Sequence, residues 1–194
     1  MSIECLMSIR TRAWSKLKYY DPKEILVALR EIERAYPLKD MPYKVSTLRS
    51  RSLRSRGESR QCAIFCYGMA QLLGIALLYA ESEVDDYDYI ARVPEKNLFI
   101  PIQMKEVVPE KVNPETNLQK EIDKLRKYSD SIDLCVAIYV NRVQSIDVSR
   151  LNLSGLGIAE LYLFGAATPT QETWKIVGNL LDTPTECRFN YPEA

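Results

Sequence analysis

The sequence predicts an α/β protein in which helices flank a mixed central sheet. Three observations carry that prediction. Two capped starts, Asp21-Pro22-Lys23-Glu24 and Asn113-Pro114-Glu115, open segments with apolar residues at helical spacing. Short apolar runs at residues 75–80 (IALLYA), 134–140 (LCVAIYV) and 158–166 (IAELYLFGA) read as buried strands. Between the first two runs lies DDYDYIARVPEKNLFIPIQMK, residues 85–105, which reads as two strands joined at the turn Pro94-Glu95-Lys96-Asn97.

Taken in order, residues 1–20 are weakly patterned, and Trp14, Leu17, Tyr19 and Tyr20 are expected to pack as a short helix. Asp21 as N-cap, Pro22 at the first helical position and Glu24 in the capping box then start a helix. Its apolar face is Ile25, Leu29, Ile32 and Tyr36, and Pro37 closes it. Residues 37–57 have no apolar periodicity and hold the basic run STLRSRSLRSRG. Residues 57–74, GESRQCAIFCYGMAQLLG, predict a helix apolar over much of its surface, and so mostly buried, with Gly74 as its stop. The strand at 75–80 follows.

In the hairpin, Asp88, Ile90 and Arg92 share one face by period two, with Tyr87, Tyr89 and Ala91 on the other. On the partner strand, Gln103 and Lys105 share a face opposite Ile100, Ile102 and Met104. The helix expected from Asn113 carries Leu118, Ile122 and Leu125 as its stripe. A loop at 142–156, with the turn Ser154-Gly155, precedes the strand at 158–166. Thr168-Pro169-Thr170-Gln171 predicts a last helix with Trp174, Val177 and Leu181 inward, and the tail from Pro184 is expected to be irregular. The predicted order is α, basic loop, then α-β-β-β-α-β, then β-α. Residues 1–56 form a helical extension with a basic loop, and residues 57–194 a single domain.

Composition narrows the chemistry. The 194 residues contain no histidine, which removes Ser-His-Asp and Cys-His nucleophile arrangements, His acid–base catalysis and Cys/His zinc sites. An enzyme built from this chain relies on carboxylates, Lys, Tyr or an oxygen-ligated metal. Five cysteines with no CxxC predict a reduced, cytoplasmic protein, and Cys62 and Cys66, four apart, predict packing on one helix face. No apolar run approaches the ~18 residues of a membrane span, and the first residues lack the pattern of a secretory signal. Net charge is zero, yet Lys44, Arg49, Arg51, Arg54, Arg56 and Arg60 crowd one short stretch against the single acid Glu58. That concentration predicts contact with nucleic-acid phosphates; the plainer alternative is a solvated surface.

Cutting a phosphodiester without histidine calls for a divalent metal on hard oxygen ligands, with a cation to meet developing charge. Asp88 beside Gln103 and Lys105 supplies those groups, with a ligand oxygen from the Gln103 side chain or the Met104 carbonyl. Glu58 on the preceding helix, Asp88 on a strand and Gln103-x-Lys105 on the next, followed by a helix and a strand, together resemble the PD-(D/E)XK, or restriction-endonuclease-like, superfamily. The resemblance covers roughly residues 58–141.

It implies an αβββαβ core of restriction-endonuclease-like type and a Mg²⁺- or Mn²⁺-dependent nuclease acting on DNA before RNA. It implies Asp88 as main metal ligand, Gln103 as assisting ligand, Lys105 as catalytic cation and Glu58 as a second carboxylate. Dimers are common in that family, which makes a homodimer one expectation. Two features depart from its pattern: Gln103 stands where an acid is usual, and no proline precedes Asp88. Asp85 or Asp86 can replace Asp88 in another register, and Glu81 or Glu83 can replace Glu58. The plainer readings are an N-terminal dipole role for Glu58, a strand-end surface acid for Asp88 and exposed strand residues for Gln103 and Lys105. The alternative function is a catalytically silent module of the same fold that binds nucleic acid or a protein partner.

Overall fold

The structure is a computed structural model, and it describes residues 10–35, 54–82, 87–129 and 131–193. The chain is α/β. Its seven strands follow chain order through one mixed sheet: β1 (Leu78–Glu81), β2 (Tyr89–Val93), β3 (Leu98–Val107), β4 (Ser131–Val140), β5 (Ile158–Ala166), β6 (Thr173–Gly178) and β7 (Thr185–Asn190). The α-helices are α1 (Pro22–Ala35), α2 (Arg54–Leu73) and α3 (Leu118–Asp123), with a further helical turn at residues 10–14. The chain divides into two compact units, Met1–Pro101 with Pro192–Ala194, and Ile102–Tyr191.

In the first unit, α1 begins as its cap predicts: the Asp21 carboxylate accepts the Lys23 N–H at 2.7 Å. Its buried stripe is centred one residue away from expectation. Leu26 is the fully buried side chain, while Ile32 is 57% exposed. Helix α1 packs on α2, and Arg60 of α2 pairs with Glu33 of α1 at 3.6 Å. Helix α2 starts at Arg54, three residues ahead of the expected Gly57, and buries Cys62, Ala63, Ile64, Phe65, Cys66 and Met69.

Helix α2 stops where Gly74 adopts φ +64°, and the Ile75 N–H returns to the Ala70 carbonyl at 3.3 Å, a Schellman closure. A Cβ added at Gly74 meets nothing within 4 Å, so only the left-handed backbone disfavours a side chain there. Gly74→Ala is therefore expected to lower stability by about 1 kcal/mol, read as a shift in the denaturant midpoint at unchanged slope. An unchanged midpoint would show that the stop does not depend on this glycine.

Strands β1 and β2 pair antiparallel with Leu78 opposite Arg92 and Glu81 opposite Tyr89. Tyr20 bonds in both directions to Tyr79 along β1, at 2.9 and 3.0 Å. After β2, Pro94–Lys96 form a 3-10 turn and Asn97 takes the left-handed φ of 46°, a conformation asparagine tolerates. Trp14 is buried, as the weak pattern of residues 1–20 suggested, and its indole N–H donates to the Tyr87 hydroxyl at 3.0 Å.

In the second unit, β3 and β4 run parallel, Gln103 opposite Val136 and Lys105 opposite Ile138. A parallel pair needs a crossover, and α3 with the 3-10 turn Lys124–Lys127 supplies it, burying Leu118, Ile122 and Leu125 as the sequence predicted. The cap is not Asn113, however. The Asn117 side chain accepts the Lys120 N–H at 2.9 Å, whereas Asn113 accepts the Glu115 N–H in a local turn at 3.0 Å. Strands β4 and β5 are parallel, and β5, β6 and β7 form an antiparallel meander.

That meander overturns the expected C-terminal helix and irregular tail. Pro169 sits in a turn closed by the Gln171 N–H on the Thr168 carbonyl at 3.0 Å, and residues 173–178 alternate inward and outward. Trp174, Ile176 and Gly178 point in by period two, which replaces the helical stripe Trp174, Val177, Leu181. Trp174 is 0% exposed, 5.8 Å from Tyr139, which stacks in turn on Phe164 at 5.3 Å. Strand β7 buries Phe189 alone among its six residues, so it lacked a legible apolar pattern.

Candidate functional site

The predicted site residues fall in both units, and each is described in its own. In the first, Asp88 lies just before β2, half-buried, its carbonyl accepting the Ser82 N–H at 2.9 Å. This bond extends the β1–β2 pairing one step past Glu81 and Tyr89, at the end where the chain passes from one strand to the other. Glu58 lies half-buried in α2. Helix α2 is tied to β1 beside it, the Ser59 hydroxyl lying 3.3 Å from the Tyr79 hydroxyl.

The focus of this region is Tyr89. Its phenol is pushed well above the ordinary tyrosine range, first by burial and then by the neighbouring Cys62, Glu81, Glu58 and Asp88. Negative charge on any of these groups opposes a phenolate. Glu58, Glu81 and Asp88 are thus the acids whose charge bears on this buried phenol, and they come from a helix, a strand end and the residue before a strand. Two of the three are predicted site residues, and Glu81 is the alternative weighed for Glu58. The other acids weighed, Glu83, Asp85 and Asp86, lie outside the described residues. Tyr87 is buried and bonded to Trp14, a packing role.

In the second unit, Gln103 is not an exposed strand residue. It is 6% exposed, its side-chain oxygen accepts the Tyr128 hydroxyl at 3.0 Å and its amide donates to the Met104 carbonyl at 3.1 Å. Both oxygens considered as ligands on this strand thus carry a hydrogen bond. Lys105 is half-buried on β3. Tyr128 had no signal in the sequence: it follows the crossover, 25 residues from Gln103.

Of the predicted nucleic-acid contacts, Lys44, Arg49 and Arg51 lie outside the described residues, and Arg54 opens α2. Arg56 is exposed in the first turns of α2. Arg60 is engaged with Glu33, which ties the two helices together. Arg92 stands apart from this group: its guanidinium lies 5.7 Å from the Tyr19 ring and 5.6 Å from the Phe99 ring. Burial pushes Tyr19 up to about 12, against the opposing pull of Arg92.

Among the described residues, no group of three or more His, Cys, Asp or Glu side chains is arranged to hold a metal ion. The donors present are nevertheless hard oxygens, the class Mg²⁺ and Mn²⁺ take. Among the described residues no helix is long and apolar enough to cross a membrane. No protein-family model, curated protein or solved structure matches the chain.

Proposed function

We propose that the chain is a metal-dependent, nuclease-like protein that hydrolyses phosphodiester bonds in DNA. Glu58, Glu81 and Asp88, whose charge bears on the Tyr89 phenol from three separate elements, are the hard-oxygen donors that support this reading. A divalent cation is the counter-charge that such oxygen donors take. Asp88 and Glu58 are the residues proposed to hold Mg²⁺ or Mn²⁺, with Gln103 assisting. When bound, the metal polarises the phosphate and favours attack by water. Water adds at phosphorus, the P–O ester bond breaks and the leaving oxygen takes a proton. Lys105 is the cation proposed to meet the charge that develops on the phosphoryl oxygens. Tyr128 keeps the Gln103 amide in one orientation through its hydroxyl. Arg56, with Lys44, Arg49, Arg51 and Arg54, is proposed to contact the DNA backbone, and Arg60 retains the role proposed for it only where its bond to Glu33 is exchanged.

A second reading has its own support. Gln103 is neutral, buried and hydrogen-bonded through both ends of its amide, as expected of a structural residue. That favours a catalytically silent module of the same kind, binding nucleic acid without cutting it. One assay separates the two: supercoiled plasmid and short duplexes in Mg²⁺, Mn²⁺ or EDTA, scored for binding and for cleavage. Cleavage in metal alone is expected from the first reading. Salt-dependent binding with no cleavage in any metal supports the second, and neither binding nor cleavage contradicts both.

A further inference from the structure

Arg92 is held in a way the carboxylate site does not explain. It lies on β2 with its guanidinium against the rings of Tyr19 and Phe99, at 5.7 and 5.6 Å. Such contacts orient the plane of the cation without neutralising it. Among the described residues, no carboxylate pairs with Arg92, and its Nε is buried with no hydrogen-bond acceptor. Of its three guanidinium nitrogens, Nε alone is both buried and without a partner, so the two terminal nitrogens are not enclosed in the same way.

A part-buried cation with no counter-charge is costly, and a buried donor without an acceptor calls for an explanation. The surroundings argue against simple packing. The aromatic cluster of Trp14, Tyr19, Tyr87 and Phe99 is already joined by ring contacts and by the Trp14–Tyr87 and Tyr19–Trp14 hydrogen bonds. A methionine or leucine on β2 fills that space without bringing in a charge. A guanidinium, in contrast, offers a rigid planar fork of donors matched to two oxygens of one phosphate. Asp88 lies just before β2, four residues ahead of Arg92.

We propose that Arg92, clamped by Tyr19 and Phe99, is a binding site for a phosphate group of a nucleic-acid strand. The Arg92 fork takes two phosphate oxygens and gains from them the counter-charge that the described residues do not supply. The identity of the strand rests on the reading under Proposed function; the affinity of Arg92 for phosphate does not.

The test compares wild type with Arg92→Met and Arg92→Lys in EDTA, so that cleavage plays no part. Binding of a fluorescent 20-base-pair duplex is followed across a salt series, and thermal unfolding is followed with and without millimolar pyrophosphate. Arg92→Met is expected to weaken the duplex about tenfold and to reduce the salt slope by about 1. Arg92→Lys, which keeps the charge and loses the fork, is expected to fall between and to report should the methionine variant not fold. Wild-type affinity and slope in the variants would overturn the proposal. If wild type binds no duplex at any salt, the nucleic-acid reading fails and pyrophosphate alone decides. A rise in unfolding temperature for wild type that is lost in Arg92→Lys supports a phosphate site; an equal rise in both, or none, overturns it.

Discussion

Lys105→Ala is expected to abolish Mg²⁺-dependent cleavage while far-UV circular dichroism and the unfolding midpoint stay near wild type. The expected size follows from the role proposed for the side chain. A preorganised donor aimed at charge that develops only in the transition state contributes about 10²–10³ in rate, and a full ammonium in a half-buried position belongs at the upper end of that range. The fold depends on it far less. Lys105 is half-buried, and β3 is set by the flanking Met104 and Val107 and by its parallel register with β4. A single-turnover measurement on a short duplex, with binding measured in parallel in EDTA, separates lost chemistry from lost affinity. Cleavage at the wild-type rate by Lys105→Ala would remove the residue from the mechanism.

Trp174→Ala is expected to have the largest effect on stability. The side chain is fully buried on β6, packs against Tyr139 and donates its indole N–H to the Gln171 carbonyl at 2.8 Å. Truncation leaves a void among rigid strands, removes an aromatic contact and strips a turn carbonyl of its partner. Large aromatic-to-alanine changes in a core cost about 3–5 kcal/mol, which for a chain of this length lowers the unfolding temperature by roughly 10 °C. Trp174→Phe, which refills most of the void without the N–H, is expected to recover more than half of the loss. Were Trp174→Ala to unfold like wild type, the strand assignment of residues 173–178 would be in error, since an outward tryptophan on a helix carries no such burden.

The elements that were legible in the sequence are those in which one period dominates. Helix α2 is apolar over much of its surface from Cys62 on, β4 and β5 are apolar runs, and the turn at residues 94–97 carries its own signals in Pro94 and Asn97. The errors lie where two periods compete over few residues. In residues 173–181 the spacing of Trp174, Val177 and Leu181 fits a helix, yet Trp174, Ile176 and Gly178 fit a strand, and packing against β5 decides between them. The cap misassigned to Asn113 has the same origin: Asn-Pro-Glu closes a local turn as readily as it opens a helix, and Asn117 four residues later does the capping.

For the candidate site, Glu58 lies on the helix expected for it, whereas Asp88, expected on a strand, lies just before β2, and Glu81, the alternative to Glu58, ends β1. That their charge bears on Tyr89 depends on the pairing of Glu81 with Tyr89 and on how α2 lies against β1, neither of which spacing specifies. The hydrogen bond from Tyr128 to Gln103 joins two residues 25 apart, and no local pattern marks it. The clamp on Arg92 was partly readable, because a tight turn at residues 94–97 brings Phe99 back toward Arg92, but Tyr19 comes from a segment with no strong pattern.

Carboxylates from α2, the end of β1 and the residue before β2 are proposed to support metal-dependent cleavage of DNA. This central claim is tested most directly by incubating supercoiled plasmid with wild type and with Asp88→Asn, each in Mg²⁺ and in EDTA. The account expects nicked and linear products from wild type in Mg²⁺ alone, and intact plasmid from Asp88→Asn in both. Intact plasmid with wild type in Mg²⁺ and Mn²⁺, or equal cleavage by Asp88→Asn, would contradict it.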